Sequence, residues 1–448
     1  MIDLAERLAA HGVSADESRA KARLFAQCAV ALRTIARGDD RDDIAIYAPG
    51  RIEVLGKHTD YAGGRSLLCA MERGFALVAR PRDDACVNVI AAASGETRTL
   101  SLHDTHVAAP GDFSAYVSTV ATRLARDFPA VRRGAGIAFA SDLPAASGMS
   151  SSSALVIGIF LVLDAVNGLA DSPEYRRVID STETLGNYLG AVENGRPFGA
   201  LAGGSGVGTL GGSQDQTAIL CCRAGMLSQY AFCPVRAERE IAFPDDRAFV
   251  VAYSGVAAPK TASALLRYNE ASLAVERIVA LWNDATRRSD GSLGDAVVSA
   301  PDAASHIRDV LAAYRGGDFT PKRLVARFDQ FLTEAFDIVP ATADAFARHD
   351  LAAVGALVDR SQRGAESLLG NQVPETIALT RSARALGANA ASAFGAGFGG
   401  SVWALVSAAG ANKFAAGWRH SYADAFPAAA AAAEFIVTRP GPAAMRLQ

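Results

Sequence analysis

Apolar positions recur at helical spacing from Leu4 to Arg37, with a break near Gly12 to Asp16, and this predicts two opening helices. The pattern then shortens. "DIAIYAPGRIEVLG" runs apolar and β-branched around Pro49 and Gly50, and "GGRSLLCAM", "FALVARPR", "CVNVIAAAS" and "TRTLSLH" continue in the same manner, so the first part of the chain is dominated by strands. A helix is predicted over Phe113 to Arg126 and a strand over "GAGIAFASDL". Long helices are predicted from about Ser151 to Asn167 and from about Ser172 to Val192.

Beyond these lies the loop "GGSGVGTLGG", followed by three segments that read as strands: "TAILCCR", "MLSQYAF" and "RAFVVAYS". Helical spacing dominates residues 260 to 385. "ASAFGAGFGGSVWALV" reads as strand, glycine turn and strand, and "EFIVTRPGP" as a last strand stopped at Pro440. Strands and helices mix without a strict βαβ rhythm, which gives an α+β fold. At 448 residues the chain divides naturally into two domains, and the pattern places the boundary near residue 235, giving 1–235 and 236–448.

Composition narrows the function classes. Forty-four Lys and Arg against forty-seven Asp and Glu leave a net charge of −3, without a basic block to match a polymer of phosphates, so nucleic acid is not an expected partner. The longest apolar run, Ala154 to Leu163, is about half of the ~20 residues that cross a bilayer, so no membrane span is expected. Six cysteines are scattered without a C-x-x-C pair and read as reduced core thiols. With no basic-then-apolar leader in view, they point to the cytoplasm.

Candidate chemistry gathers in three places. "DLPAASGMSSSSALVIGIFLVL" ends a strand in a small-residue loop and sets four serines at the mouth of an apolar helix. One serine suffices to cap a helix. Four after a glycine offer amides, hydroxyls and a positive helix end to an anion, although a well-capped helix beside a tight turn would use the same residues. "APGRIEVLGKHTDYAGG" gathers Arg51, Lys57, His58 and Asp60 about one turn, and "GSQDQ" presents Asp215. A Walker loop is excluded, because Gly50 and Gly56 bracket five residues and His58 follows Lys57. "GVGTLG" and "GAGFGG" satisfy G-x-G-x-x-G, but neither sits in a strand, turn and helix with an acidic residue some 20 positions on.

Taken in order, "APGRIEVLGKHTDYAGG", "GMSSSSAL", "GGSQDQTAIL" and "FGAGFGGSVWAL" resemble the motifs of the GHMP small-molecule kinases, in their galactokinase branch. The resemblance runs from residue 48 to 405 and extends to the ending "FIVTRPGP". It implies an N-terminal domain like domain 2 of ribosomal protein S5, a ferredoxin-like C-terminal domain, and an active site between them. It also implies ATP, Mg²⁺ and a small-molecule sugar acceptor phosphorylated at its anomeric (C1) hydroxyl; a monomer or weak homo-oligomer is expected.

By the same resemblance Asp215 is the general base, with Arg51 orienting it and stabilising charge on the moving phosphoryl group. An ordinary aspartate is already ionised at neutral pH, so positioning matters more than basicity. The resemblance also implies that the nucleotide phosphates lie over Gly148, Ser150, Ser151, Ser152 and Ser153. A loop hydroxyl, Ser151 or Ser152, and Glu193, with Glu183 as the alternative, are the expected metal ligands. His58 and Asp60 match sugar-contacting positions, and Tyr268 is a candidate for the family's tyrosine near the sugar.

Two positions depart from the family. Lys57 replaces the glutamate of "GEHTDY", and Glu53 takes the place of an asparagine. A lysine cannot accept a hydrogen bond from a hydroxyl. Either Glu53 and Lys57 neutralise each other, or Lys57 meets an anionic acceptor such as a uronic acid. A non-catalytic sugar and ATP sensor is a third reading, which the presence of Arg51, Asp215 and the serine loop disfavours.

Overall fold

The computed structural model describes residues 4–36, 43–103, 112–257 and 262–448. The expected helical position at Arg37 lies outside them. Two sheets carry the architecture. The first has eight strands: β1 (Ile44–Leu55), β2 (Arg65–Pro81), β3 (Cys86–Ala91), β4 (Glu96–Ser101), β5 (Ala135–Ser141), β6 (Met226–Ala231), β7 (Arg236–Ala242) and a C-terminal strand, Met445–Arg446, which pairs with β1. Its spine runs from that strand through β1, β2, β5 and β3 to β4, and the β6–β7 hairpin branches from β2. Only β3 and β5 run parallel.

The second sheet is fully antiparallel. β8 (Arg247–Tyr253), β9 (Ala390–Phe394), β10 (Ser401–Ser407) and β11 (Glu434–Thr438) lie in the order β11-β8-β10-β9. Counted within the sheet, that is 4-1-3-2. A helical insertion joins the first two strands and the helix Ala411–Ala425 joins the last two, so the region has ferredoxin-like βαββαβ wiring. The division expected near residue 235 falls inside the β6–β7 hairpin of the first sheet, and the second sheet begins twelve positions later, at Arg247.

The opening helices α1 (Leu4–Ala10) and α2 (Ala15–Ile35) pack on one face of the first sheet, where Phe25, Cys28 and Leu32 meet Tyr47, Ala76 and Ala138. The other face receives α3 (Ser114–Asp127) and α4 (Ser151–Asn167). Helix α4 buries Leu155, Val156, Ile157, Ile159, Phe160, Val162 and Leu163, each contributing about 1.5–3 kcal/mol. It stops at Gly168, whose left-handed conformation suits glycine. This anchored helix carries the serine loop at its start.

Two expectations are corrected. The helix expected over Ser172 to Val192 is two: α5 (Pro173–Arg176) and α6 (Thr182–Glu193), separated where Ser181 accepts from the Thr184 amide and starts a new helix. "TAILCCR" is not a strand but the body of α7 (Gln214–Cys221). Its residues are buried on nearly every side, and a short, uniformly apolar run carries no periodicity to separate strand from helix. Of the six thiols, all unpaired, Cys28, Cys69 and Cys222 are buried, Cys86 and Cys221 half-buried, and Cys233 exposed. No helix among the described residues is long and apolar enough to cross a membrane.

Candidate active site

A cavity of about 530 Å³ lies between the two sheets, and β1, the loop before α4, α7 and the β9–β10 loop all contribute to it. Arg51 sits on β1, directed inward by the two-residue alternation of the strand. Its Nε donates to Oδ1 of Asp215 at 2.8 Å, its NH2 lies 2.8 Å from the same oxygen, and its NH1 donates to the Gly148 carbonyl at 2.5 Å. One guanidinium thus joins the carboxylate of α7 to the serine loop. The Asp215 side chain stays 31% exposed and lines the cavity.

The serine loop is shaped by backbone, not by capping. Gly148 (φ +78°) and Ser150 (φ +61°) are both left-handed, and the Ser150 side chain does not cap α4. The Ser147 and Ser150 hydroxyls are buried and have no hydrogen-bond partner among the described residues. Buried hydroxyls are rarely left so, and their position at a helix start suits an oxyanion. The β9–β10 loop backs this turn closely: Ser401 donates to the Ser147 carbonyl at 2.7 Å, and a Cβ on Gly395 would come within 2.8 Å of the Gly148 carbonyl oxygen. "GAGFGG" therefore supports the serine loop from behind, and "GVGTLG" is loop without strand or helix; neither has the dinucleotide-binding context.

Glu193, at the end of α6, is buried beside the cavity. Its Oε2 accepts from the Ser153 hydroxyl at 2.8 Å and from Gln216 Nε2 at 2.6 Å. Ser153 is therefore the serine nearest in bonding to Glu193, while Ser151 and Ser152 also line the cavity. Glu183, the alternative, does not line it. Among the described residues no three His, Cys, Asp or Glu cluster as a self-sufficient metal cage. One carboxylate beside serine hydroxyls at an anion site fits Mg²⁺, which takes few protein oxygens and relies on phosphate and water for the rest.

On the opposite side of Asp215 lie Glu53, His58, Asp60 and Tyr268. Asp60 Oδ2 accepts from the Gln214 amide at 3.1 Å, and burial together with the Asp215 charge raises its pKa. Gly212 makes room for it, since a Cβ there would lie 2.4 Å from Asp60 Oδ2. His58 has both ring nitrogens engaged: Nε2 donates to the Ala396 carbonyl at 3.1 Å, and Nδ1 accepts from the Tyr61 hydroxyl at 2.9 Å. Burial and the Arg327 charge lower its pKa to about 4, so the ring is neutral. The Tyr268 ring leans on it, with centroids 5.3 Å apart.

Lys57 is elsewhere, and its expected contact with the acceptor is corrected. The side chain is 2% exposed, does not line the cavity, and donates from Nζ to Ser361 at 2.9 Å and Ser392 at 2.7 Å. It does not neutralise Glu53 by direct contact either. Glu53 binds Gln214 Nε2 through Oε2 at 2.7 Å. Gly56 ends β1 with φ +111°, and the chain turns there so that residue 57 faces the second domain.

No local sequence pattern signals the aromatic end of the cavity. Phe75, Phe113 and Phe139 line it, with Phe113 and Phe139 in edge contact at 5.2 Å. These residues come from β2, the start of α3 and β5, so no local motif collects them. Gln214 and Gln216, which flank the base and hold Glu53 and Glu193, were missed for the same reason.

Comparison with known proteins agrees with this geometry. The galactokinase galactose-binding signature matches residues 36–81, the GHMP kinase N-terminal domain 115–222 and the GHMP kinase C-terminal domain 342–424. Galactokinase from Chloroflexus aggregans is 28% identical over 84% of this chain and 87% of its own length. That from Haemophilus influenzae is 35% identical over 26% of this chain, a stretch spanning only 30% of the relative. In fold, the structure of Lactococcus lactis galactokinase complexed with galactose superposes with a TM-score of 0.74 at 22% identity, covering 95% of this chain and 100% of that one. A mevalonate kinase from L. major reaches 0.51 at 14% identity, covering 91% and 97%. With signature, N-terminal and C-terminal domains in family order on a shared fold, the chain belongs to the GHMP kinases, among the galactokinase-like members.

Proposed function

We propose that this protein transfers the γ-phosphoryl group of ATP to the anomeric hydroxyl of galactose or a closely related sugar. The observation that carries the reading is the Arg51 guanidinium, which holds Asp215 at 2.8 Å and the Gly148 carbonyl at 2.5 Å at once. A base and an anion loop coupled through one cation are what in-line phosphoryl transfer requires.

In this reading the acceptor lies among Glu53, Asp60 and Tyr268, with its reacting hydroxyl at Asp215. As the hydroxyl oxygen forms its bond to the γ-phosphorus and ADP departs, the proton passes to Asp215. Arg51 keeps the carboxylate aimed and offsets charge on the equatorial oxygens. The amides and hydroxyls around Gly148 to Ser153 bind the phosphates, and the aromatic end formed by Phe75, Phe113 and Phe139 receives the base. Mg²⁺, held by Glu193 and a loop hydroxyl such as Ser152, would neutralise phosphate charge. His58, with both nitrogens engaged inside the protein, shapes the acceptor wall without a free donor or acceptor of its own.

The uronic acid alternative rested on Lys57, whose ammonium lies outside the cavity, so a neutral sugar is favoured. A pure sensor would not need the base, the arginine and the serine loop in one cavity, and one chain supplies all three. The test is incubation of the purified protein with ATP, Mg²⁺ and a sugar panel, followed by phosphorus NMR. A sugar 1-phosphate is expected; ATP binding without transfer to any sugar would refute the proposal.

A further inference from the structure

Glu53 is left unexplained by base, phosphate and metal. It follows Arg51 by two positions on β1, in regular register with β2 (Arg51 opposite Ala70, Glu53 opposite Leu68), so both side chains leave one face of the sheet. Arg51 reaches Asp215 and Glu53 reaches the preceding residue, Gln214, so the two side chains end side by side on α7. Glu53 is 3% exposed and lines the cavity, and its Oε1 is buried without a hydrogen-bond partner among the described residues.

Gln214 is the knot of this region. Its side chain holds Glu53, its backbone N–H holds Asp60, and Asp215 comes next in the chain. Three carboxylates therefore surround the acceptor position. Among the described residues, Arg51 is committed to Asp215 and Gly148, Lys57 is tied to Ser361 and Ser392 outside the cavity, and His58 is neutral, so these cations are already engaged and none of them binds Glu53 directly. Such a wall favours donor groups and repels an anion.

We propose that Glu53 is a specificity-determining residue whose Oε1 accepts a hydrogen bond from a donor, hydroxyl or ammonium, on the acceptor carbon next to the one phosphorylated. The inference rests on the sugar-kinase reading above. It assigns to this chain a contact that an asparagine-bearing relative would make differently. In Glu53→Gln the amide oxygen takes over the bond from Gln214, which turns the NH₂ toward the cavity and replaces an acceptor by a donor.

The test measures kcat/KM of the full chain and of Glu53→Gln with D-galactose, 2-deoxy-D-galactose and D-galactosamine. The wild-type protein is expected to favour galactose over the 2-deoxy sugar by at least about tenfold and to accept galactosamine. In Glu53→Gln the galactose to 2-deoxygalactose ratio is expected to fall to within about threefold of one. A purely structural role would lower all substrates together and leave that ratio unchanged. A wild-type ratio near one or an unchanged ratio in the variant overturns the inference while leaving the kinase reading intact. Should the variant not fold, the wild-type ratios alone decide. Transfer to none of the three sugars, with ATP binding retained, withdraws the kinase reading and this inference with it.

Discussion

The Lys57 ammonium donates to the Ser392 hydroxyl at 2.7 Å, and so ties the turn after β1 to β9 of the other sheet. Ser361 takes a second bond and passes it to Glu334 Oε1, which also receives the Gly56 amide at 2.9 Å. Lys57→Glu would set a second carboxylate into this buried network and remove its cation. A loss of about 3–5 kcal/mol is expected, read as a fall in the urea midpoint. Lys57→Met should cost less and leave the KM for sugar near the wild-type value. A Met variant with normal stability and a tenfold higher sugar KM would return Lys57 to the acceptor site.

This lysine also shows where sequence reading succeeds and where it stops. Arg51, Asp215 and the four serines were legible because their residue types and order are tied to one chemistry, and α4 was legible because ten apolar residues follow a serine cluster. Lys57 stood in the same motif, yet a left-handed glycine at 56 rotates it out of the cavity. Its partners Ser361 and Ser392 lie some 300 residues on, beyond any local pattern. The aromatic end and the two glutamines depend likewise on tertiary assembly, and α7 read as a strand because burial on all sides erased its period.

Asp215→Asn keeps the shape of the side chain and removes its capacity to take a proton. A fall in kcat of about 10²–10⁴ is expected, with the KM for ATP little changed. Arg51→Lys should also be strongly impaired, because an ammonium cannot reproduce the fork that reaches Asp215 and Gly148 together. Steady-state kinetics on both variants check this. Near-wild-type turnover in Asp215→Asn would remove the aspartate from the chemistry.

Gly212→Ala probes the acceptor wall without touching a charged group. The added methyl would fall 2.4 Å from Asp60 Oδ2, so the carboxylate or the loop must move. The KM for sugar is expected to rise about tenfold or more while the KM for ATP holds. An equal rise in both would mean that the loop shift reaches the phosphate side, and Asp60 would lose its assignment to the acceptor.

Phe139→Ala removes a ring from the aromatic end, where Phe113 packs on it at 5.2 Å. If that end holds the nucleobase, the KM for ATP should rise about tenfold and the KM for sugar should not. A parallel change in thermal stability is expected as well, since the ring is part of the core margin. Unchanged ATP affinity, measured by calorimetry on the folded variant, would place the nucleobase elsewhere.

Glu53 carries a pH signature that separates it from its neighbours. Burial, stronger here than the opposing charges of Arg51 and Lys57 and the bond from Gln214, pushes its pKa up to about 7. In the unfolded chain the same group titrates at about 4.3. Below that value both states are protonated and the carboxyl costs nothing. As pH rises toward 7 the unfolded chain gives up its proton first, so stability is lost across the window, by about 4 kcal/mol in all, and the loss levels off above it. His58, lowered to about 4, works in the opposite direction: between about 4 and 6.5 its charged form favours the unfolded chain, so stability rises with pH. The wild-type curve alone therefore mixes slopes of opposite sign. The difference between Glu53→Gln and wild type isolates one of them, because His58 is common to both. That difference should grow in favour of the variant from about pH 4.3 to 7 and then stay constant, as measured by urea unfolding at half-unit steps. A difference that stays flat across the range would mean that Glu53 is ionised throughout, and the carboxyl would then have to be better solvated than its 3% exposure implies.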